Sequence, residues 1–343
     1  MEQDLWRYLK TVRKPIVLYG MGNGADKIIK VLKDFGIEIS GVFATDGFVR
    51  DKYFHGFKLS SYSELKEKFG EMTVLLSFGS GREEVLSNIR RISAEQELYA
   101  PDVPVYGGTL FTSEYANANK EALSNVYNRL YDDKSKETFE NIIRYKLSGK
   151  LDFLYECEVS EDEPYGSFLK LSDNVSYLDL GAYTGDTVAD FVRRVKTYKS
   201  ITAVEPDKKS FKKLLSNTAE LNNFKAVNAC VSDYIGMSEF AMRGGRNSSV
   251  GDGEQMPAVT VDEIAKDGVS FIKADVEGEE IKAIKGAENT ILKYRPKMQL
   301  ACYHKTEDLI AIPHAICGIR KDYRLYIRHF PCVPAWDTNY FFI

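Results

Sequence analysis

The sequence predicts an α/β protein in which a C-terminal Rossmann-like sheet domain follows a smaller N-terminal parallel α/β domain and a helical connector. In both halves of the 343-residue chain, strand-like apolar runs alternate with segments of helical periodicity, as in parallel sheets with crossover helices. Each half also carries a glycine-rich turn directly after an apolar run, VLYGMGNGAD in the first and SYLDLGAYTGDT in the second. We therefore predict domains over residues 1–112 and 159–343, with the connector over residues 113–158.

The composition narrows the class of protein and of partner. A chain with 44% hydrophobic and 28% charged residues has the balance of a soluble globular protein, and a net charge of −4 provides no basic field for nucleic acid. No apolar run approaches the roughly 20 residues that a membrane helix needs. The five cysteines are scattered without a C-x-x-C pair, which indicates reduced thiols. We expect a cytoplasmic protein that binds neither membranes nor nucleic acid; the oligomeric state is not indicated.

The N-terminal unit opens with the strand-like run PIVLY, a glycine turn and a helix, and EISGVFATD follows as a second strand. The runs TVLLSF, REEVLSNIRRI and VPVYG continue as strand, helix and strand. The turn fits a dinucleotide fingerprint, in which glycines let the backbone approach a pyrophosphate and an acid binds the ribose. A second nucleotide site would then consist of Gly20, Gly22, Gly24 and Asp46. A turn that only folds the strand back onto its helix explains the same pattern.

The connector shows apolar residues at spacings of three and four, from Leu123 to Leu147, and glycine is nearly absent before Gly149. This pattern predicts helices rather than a flexible tether. We therefore expect the two domains to be held in a fixed relation.

The second glycine turn has the features of a binding site for S-adenosylmethionine. The strand VSYLDLG brings Asp179 and Gly181 to its carboxyl end, and the next strand ends on Glu205, whose carboxylate can accept hydrogen bonds from both hydroxyls of a ribose. Asp179 and Asp186 place negative charge on both sides of the turn. Because this charge repels a pyrophosphate and attracts a sulfonium and an ammonium group, it favours the methyl donor over NAD.

Four segments resemble the FkbM family of S-adenosylmethionine-dependent methyltransferases. They are VSYLDLGAYTGDTVADF, AVEPD, ACVSD and FIKADVEGEEIKAIKGAENTI. The closing KDYRLYIRHFPCVPAWDTNYFFI resembles the last two strands of that family. The N-terminal stretch with HGFKLSSYSELKEKFG resembles nucleotide-binding domains fused to bacterial sugar-modifying enzymes. The family resemblance implies a seven-strand methyltransferase sheet with one antiparallel strand. It also implies O-methylation of a hydroxyl on a sugar, a glycan or another small-molecule natural product.

Residue by residue, the resemblance and the turn together give a predicted site. The donor-binding residues are Asp179, Gly181, Ala182, Tyr183, Gly185, Asp186, Thr187, Glu205, Pro206, Ser232, Asp233 and Asp275. The catalytic residues are His304, Asp275 and Glu277, of which the two acids end the strand that faces the methyl group in the family.

His304 is the leading candidate for the base that removes the proton of an acceptor hydroxyl, because histidine titrates near neutrality. A histidine that only supports the site is the alternative. Many relatives would show a glutamate two places before this histidine, but Cys302 stands there, so the sequence names no acid to orient it. Asp275 and Glu277 could share a divalent metal, but the spacing identifies no third ligand, so we predict no metal.

Two functions of other classes stay open at this point. One is an NAD- or nucleotide-sugar-dependent oxidoreductase or epimerase that uses the N-terminal turn, although the Tyr-x-x-x-Lys spacing of short-chain reductases is met only by Tyr62 and Lys66. The other is a nucleotide-binding module without catalysis. The loop from Met242 to Gln255, rich in glycine and polar residues, is either a lid over the acceptor or a solvated loop.

Overall fold

The computed structural model of the protein describes residues 3–45, 51–241, 249–250 and 253–343. The first of its sheets has six strands in the order β3-β4-β2-β1-β5-β6. The strands are β1 Ile16–Tyr19, β2 Gly41–Ala44, β3 Tyr53–Phe54, β4 Phe57–Ser61, β5 Thr73–Leu76 and β6 Glu97–Tyr99. The helices are α1 Leu5–Leu9, α2 Asn23–Asp34, α3 Tyr62–Phe69 and α4 Glu83–Glu95. Apart from the antiparallel pair β3–β4, neighbouring strands are parallel, as predicted.

One element of the N-terminal unit was predicted wrongly. The run VPVYG is not a strand, and β6 lies a few residues earlier. Pro101 and Pro104 explain the difference, because a proline has no N–H to donate to a neighbouring strand. The carbonyls of Pro104 and Val105 accept hydrogen bonds from the ammonium group of Lys27 instead.

The predicted connector is helical, with α5 Ser113–Ala118, α6 Lys120–Arg129, α7 Asp133–Ser148 and α8 Asp152–Cys157. A π-helix follows at Tyr165–Leu169. The side chain of Asp132 caps the first turn of α7, and Gly149 ends the helix in a left-handed conformation at φ 66°. One contiguous set of buried side chains runs from the N-terminal sheet through α7 into the C-terminal sheet. The two sheets therefore share a core, and the exact domain boundaries stay a prediction.

The C-terminal sheet has seven strands in the order β16-β17-β15-β14-β7-β8-β9. They are β7 Val175–Leu180, β8 Tyr198–Val204, β9 Phe224–Val227, β14 Phe271–Ala274, β15 Lys297–Ala301, β16 Leu325–His329 and β17 Thr338–Phe342. A small sheet contains β10 Cys230–Val231, β11 Gly236–Ala241, β12 Ser249–Val250 and β13 Glu254–Val259. The helices are α9 Asp186–Arg194, α10 Lys208–Asn217, α11 Val261–Ile264, α12 Glu280–Lys285, α13 Glu288–Tyr294 and α14 Asp308–Ile319.

The seven-strand sheet with one antiparallel strand is confirmed, since β17 runs antiparallel to both of its neighbours while the other pairs are parallel. The chain builds outward from β7 through β8 and β9, and then returns to the other side of β7 with β14 and β15. The strand order therefore reverses beside β7. In open α/β sheets this crevice, at the carboxyl ends of the strands, is where ligands bind. No helix in the described part of the chain is both long and apolar enough to cross a membrane.

Candidate functional site

A cavity of about 570 Å³ lies at the carboxyl ends of β7, β8 and β14. Many of the predicted site residues line it: Gly181, Tyr183, Asp186, Thr187, Glu205, Pro206, Asp275 and Glu277. Because parallel strands deliver these residues to one edge of the sheet, segments that are distant in sequence meet in one cavity.

Close packing explains the two glycines of the turn after β7. Gly181 has φ +82°, and a Cβ there would lie 1.9 Å from the backbone oxygen of Asp275. Gly185 has φ +88° and precedes α9, where a Cβ would lie 3.0 Å from Leu214. A side chain at Gly181 would push the ends of β7 and β14 apart, and these two ends form the floor of the cavity.

Asp179 is fully buried at the end of β7. One oxygen of its carboxylate accepts a hydrogen bond from the hydroxyl of Thr187, whereas Oδ1 has no hydrogen-bond partner among the described residues. Burial raises the pKa of this carboxyl, and the ammonium group of Lys273 opposes that shift. A buried acceptor without a partner costs free energy, which a donating ligand would offset. Asp179 is not among the residues that line the cavity, so its contact with the methyl donor stays a prediction.

Glu205 is buried, with 6% of its surface exposed, and both of its carboxylate oxygens are held by backbone groups. Oε2 accepts from the N–H of Tyr183 at 2.8 Å, and Oε1 accepts from the N–H of Asp207 at 2.7 Å. Burial raises the pKa of this carboxyl to about 7, although the two backbone donors oppose the shift. Each oxygen can accept a further hydrogen bond, so the carboxylate is fixed in place for two vicinal hydroxyls.

The structure does not place Ser232 and Asp233 in the lining of the cavity, so their contact with the adenine stays a prediction. Cys230 and Val231, the two residues before them, line it instead. The N–H of Ser232 donates to the carbonyl of Val259, and Asp233 is exposed to solvent. The chain therefore turns away from the cavity two residues earlier than the sequence pattern indicates. Ala182 is buried in the core beside Gly181 rather than in the lining.

A second group of charged side chains, which we call the carboxylate–imidazole cluster, consists of Asp275, Glu277, Glu280 and His304. His304 is fully buried, and its Nδ1 donates to Oε1 of Glu280 at 2.9 Å. Its Nε2 lies 3.3 Å from Oδ1 of Asp275 and 3.5 Å from Oε2 of Glu277, but hydrogen-bonds to neither. Burial lowers the pKa of His304, but the surrounding carboxylates, Glu280 foremost, raise it to about 9.

Glu280 is the acid that the sequence did not name. It stands at the start of α12 rather than at position 302, where the thiol of Cys302 donates to the carbonyl of Thr338. The backbone N–H of Val276 donates to Glu280 at 3.1 Å, so the carboxylate that orients His304 is itself anchored. The segment VEGEE carried this signal, because its last glutamate begins the helix that follows β14.

The two acids after β14 face the cavity, whereas His304 lies behind them. Asp275 and Glu277 are lining residues with side chains 29% exposed, and His304 does not line the cavity. The hydroxyl of Tyr303 donates to both oxygens of Asp275, at 3.1 and 3.2 Å. Glu277 has a left-handed backbone at φ +55°, and burial raises its pKa to about 7. An acceptor in the cavity would therefore meet a carboxylate before it met the imidazole.

The N-terminal unit also reaches this cluster, which the sequence did not indicate. Val105 lines the cavity, and the N–H of Tyr106 donates to the carbonyl of His304 at 3.1 Å. Lys27, on α2, holds the same loop through the carbonyls of Pro104 and Val105. The helix that follows the first glycine turn thus helps to position one wall of the cavity.

Packing explains two glycines of the first turn without a ligand. A Cβ on Gly20 would lie 2.5 Å from the ring of Phe78, and one on Gly24 would lie 2.2 Å from the backbone oxygen of Ser77. Gly22, at φ +113°, has open space around it. Asp46 and most of the loop from Met242 to Gln255 lie outside the described residues. The second nucleotide site stays a prediction.

Comparison with known proteins gives a family-model match and a solved structure of similar fold. A family model described as "Methyltransferase FkbM domain" matches residues 179–319. The crystal structure of a methyltransferase FkbM from Methylobacillus flagellatus KT is similar over 98% of this chain and 92% of that chain, with 20% identity and a TM-score of 0.74. No curated protein matches the sequence.

Two further solved structures have much lower similarity and add nothing to the fold assignment. Aeropyrum pernix fibrillarin with natively bound S-adenosyl-L-methionine has 14% identity and a TM-score of 0.32, over 50% of this chain and 69% of that chain. The precorrin-6y C5,15-methyltransferase from Geobacter metallireducens GS-15 has 14% identity and a TM-score of 0.33, over 51% of this chain and 81% of that chain.

Proposed function

We propose that this S-adenosylmethionine-dependent methyltransferase methylates a hydroxyl of a small molecule. Its residues 179–319 match the model of the methyltransferase FkbM domain. A sugar, a glycan or a natural product with several hydroxyl groups is the acceptor class. The observation that carries this proposal is the carboxylate–imidazole cluster, which borders the same cavity as the donor-binding turn.

The residues around the turn fit S-adenosylmethionine. Glu205 offers two fixed acceptors for the ribose hydroxyls, and Asp179 offers a buried oxygen that lacks a partner among the described residues. Gly181 lets the ends of β7 and β14 pack closely, and these two ends form the floor of the cavity. When bound, the donor supplies a methyl group on a positively charged sulfur, and this charge disappears as the methyl group is transferred. Positioning of the acceptor by the protein therefore supplies much of the rate enhancement.

The charge of the cluster supports oxygen rather than nitrogen as the methylated atom. An amine beside Asp275 and Glu277 would be held as an ammonium ion, because nearby carboxylates raise the pKa of an amine, and an ammonium ion has no lone pair to react. A hydroxyl is neutral and can donate a hydrogen bond to either carboxylate. The same group can accept its proton as the new O–C bond forms.

The arrangement supports Glu277 as the proton acceptor and His304 as a positioning residue. Glu277 borders the cavity, while His304 contacts it only from behind. The hydrogen bond from His304 to Glu280 fixes the orientation of the imidazole. The imidazole in turn contacts Asp275 and Glu277. We therefore assign the role of the direct base to Glu277 instead of His304.

Three further lining residues of the cavity support an acceptor with several hydroxyl groups. Trp336, Gln299 and Asp337 are among its lining residues, so an aromatic surface stands beside polar groups that can bind hydroxyls. Gly79 of the N-terminal unit packs against the ring of Trp336, and a Cβ there would lie 2.3 Å from it. The N-terminal unit therefore supports the acceptor wall, which gives it a role without a nucleotide.

Methyl transfer from isotope-labelled S-adenosylmethionine to a panel of sugars, polyols, carboxylic acids and amines tests the proposal. We expect labelled product only from acceptors with hydroxyl groups, and the product should survive mild alkali, which hydrolyses methyl esters but not methyl ethers. The Glu205→Gln variant is the control for dependence on the donor site. Labelled amine or ester products, with no ether, would contradict O-methylation.

A further inference from the structure

We propose that Asp275, Glu277 and His304 bind a divalent metal cation at the edge of the cavity, with Glu280 fixing the imidazole. The sequence favoured a site without metal because only two ligands could be recognised. The structure supplies the third, His304, since β14 and β15 are neighbours in the sheet. One possible ligand atom each of Asp275, Glu280 and His304 lie within 4.8 Å of one another, and Glu277 approaches the same imidazole from the cavity side.

Two distances within the cluster are close to those between neighbouring metal ligands. Oδ1 of Asp275 and Oε2 of Glu277 lie 3.3 and 3.5 Å from Nε2 of His304. Adjacent ligands of an octahedral ion, each at about 2.1 Å, stand about 3.0 Å apart. The observed separations exceed this by a few tenths of an ångström. A movement of a few tenths of an ångström would therefore bring each acid to the spacing of neighbouring ligands from the imidazole nitrogen.

The imidazole is prepared as a ligand. Its Nδ1 hydrogen-bonds to Glu280, which the N–H of Val276 anchors. A histidine that binds a metal commonly donates its other ring N–H to a carboxylate in this way, which fixes the tautomer and the ring orientation. In the neutral imidazole Nε2 then carries the lone pair. This atom is buried, points into the cluster and has no hydrogen-bond partner within the described part of the chain.

The cluster also has an excess of negative charge. Three carboxylates surround one imidazole, and the nearest ammonium group of a lysine is that of Lys273, 3.9 Å from Asp275. The ammonium group of Lys305 donates to the carbonyl of Gly278. Crowding of carboxylates in a buried place is unfavourable without a cation. A protonated imidazole would supply one positive charge and is the alternative that the experiment must exclude.

A mixed set of two carboxylates and one imidazole suits Mn²⁺ or Mg²⁺ better than a softer ion that prefers thiolates. Asp275 and Glu277 border the cavity, so coordination positions on that side would be open to an acceptor. If the proposed function is correct, on which this last step rests, the acceptor hydroxyl would bind there. The cation would then stabilise the developing alkoxide while the hydroxyl proton passes to the oxygen of Glu277 that does not bind the metal.

Binding of Mn²⁺ to the full-length protein, without donor or acceptor, tests the site by itself. Electron paramagnetic resonance of free Mn²⁺ gives the affinity, and spin-echo modulation detects a ¹⁴N nucleus from a coordinated imidazole. We expect one bound ion with a ¹⁴N signal, and Asp275→Asn and Glu277→Gln to weaken binding at least tenfold. Glu280→Gln, which removes only the partner of the imidazole, should weaken it about 10- to 100-fold. Circular dichroism shows whether each variant is folded.

Asp190→Asn is the matched control, because Asp190 lines the same cavity but pairs with Arg194 outside the cluster. Its affinity for Mn²⁺ should stay within about twofold of that of the parent. No binding at millimolar Mn²⁺, a bound ion without a ¹⁴N signal, or equal affinity in the cluster variants would overturn the site. Mn²⁺ binding without any hydroxyl acceptor would leave the site standing and remove the proposed function. Hydroxyl methylation that persists in chelator, together with no Mn²⁺ binding, would remove the metal site and leave the proposed function standing.

Discussion

Replacement of Glu205 by glutamine should weaken donor binding in a way that depends on pH. Both carboxylate oxygens are held by backbone N–H groups, at 2.8 Å from Tyr183 and 2.7 Å from Asp207, so the side chain cannot turn to compensate. An amide keeps one acceptor oxygen and loses the other, and it also loses the charge. The loss of one charge-assisted hydrogen bond costs about 1.5–3 kcal/mol of binding free energy. This corresponds to an increase in Kd of roughly 10- to 150-fold.

The pH dependence follows from the pKa of Glu205, which burial raises to about 7. Above pH 7 the carboxylate is ionised and binds the ribose hydroxyls at full strength; as the pH falls through 7 it is protonated, and one of its acceptors is lost. The parent protein should therefore bind S-adenosylmethionine more weakly at pH 6 than at pH 8.5. Because the ligand favours the ionised form, binding at pH 6 should also release protons.

Isothermal titration calorimetry with S-adenosylmethionine, in two buffers of different ionisation enthalpy, measures both effects. Glu205→Gln should show a lower affinity at pH 8.5 and little change between pH 6 and 8.5. Glu288→Gln, on the exposed start of α13, is the control for the loss of one charge and should bind like the parent. Equal affinities of parent and Glu205→Gln at pH 8.5, in a folded variant, would refute the ribose assignment.

Three further predictions concern stability and the role of the N-terminal unit. His329 is buried and its pKa is lowered to about 4, so the unfolded chain gains a proton below pH 6.5 that the folded chain does not. Stability should fall by up to about 3 kcal/mol from pH 6.5 to 4, and urea titrations of His329→Gln should lack this part of the loss. Gly24→Ala should destabilise the protein by roughly 1–3 kcal/mol in thermal unfolding, because its Cβ would lie 2.2 Å from the oxygen of Ser77. Gly318→Ala, in a helix with open space around it, should be neutral or stabilising, and the opposite order would contradict the packing account. Lys27→Met releases the loop that borders the cluster, so kcat should fall while donor affinity stays unchanged, and Lys27→Arg should restore part of kcat. A fall in donor affinity alone would contradict that role.

Much of the structure of the glycine turn after β7 could be predicted from the sequence, because it is local. A buried strand, two glycines and the start of a helix are continuous from Val175 to Thr187, and periodicity alone gives their order. Glu205 could be predicted for the same reason, since it ends the next strand and parallel strands share one edge. The number of strands, seven, was predicted from the family resemblance, and the sheet confirms it.

The cluster depends on contacts through space, which only the tertiary structure decided. Glu280 meets His304 because a helix start and a strand end, 24 residues apart, converge where β14 and β15 pair. The burial of His304 behind the two acids, and the loop of the N-terminal unit that covers it, follow from packing between segments that are remote in sequence. Periodicity shows which side of an element is buried, but not which other element packs against it. The roles of Glu280 and of the N-terminal unit therefore became visible only in the assembled fold.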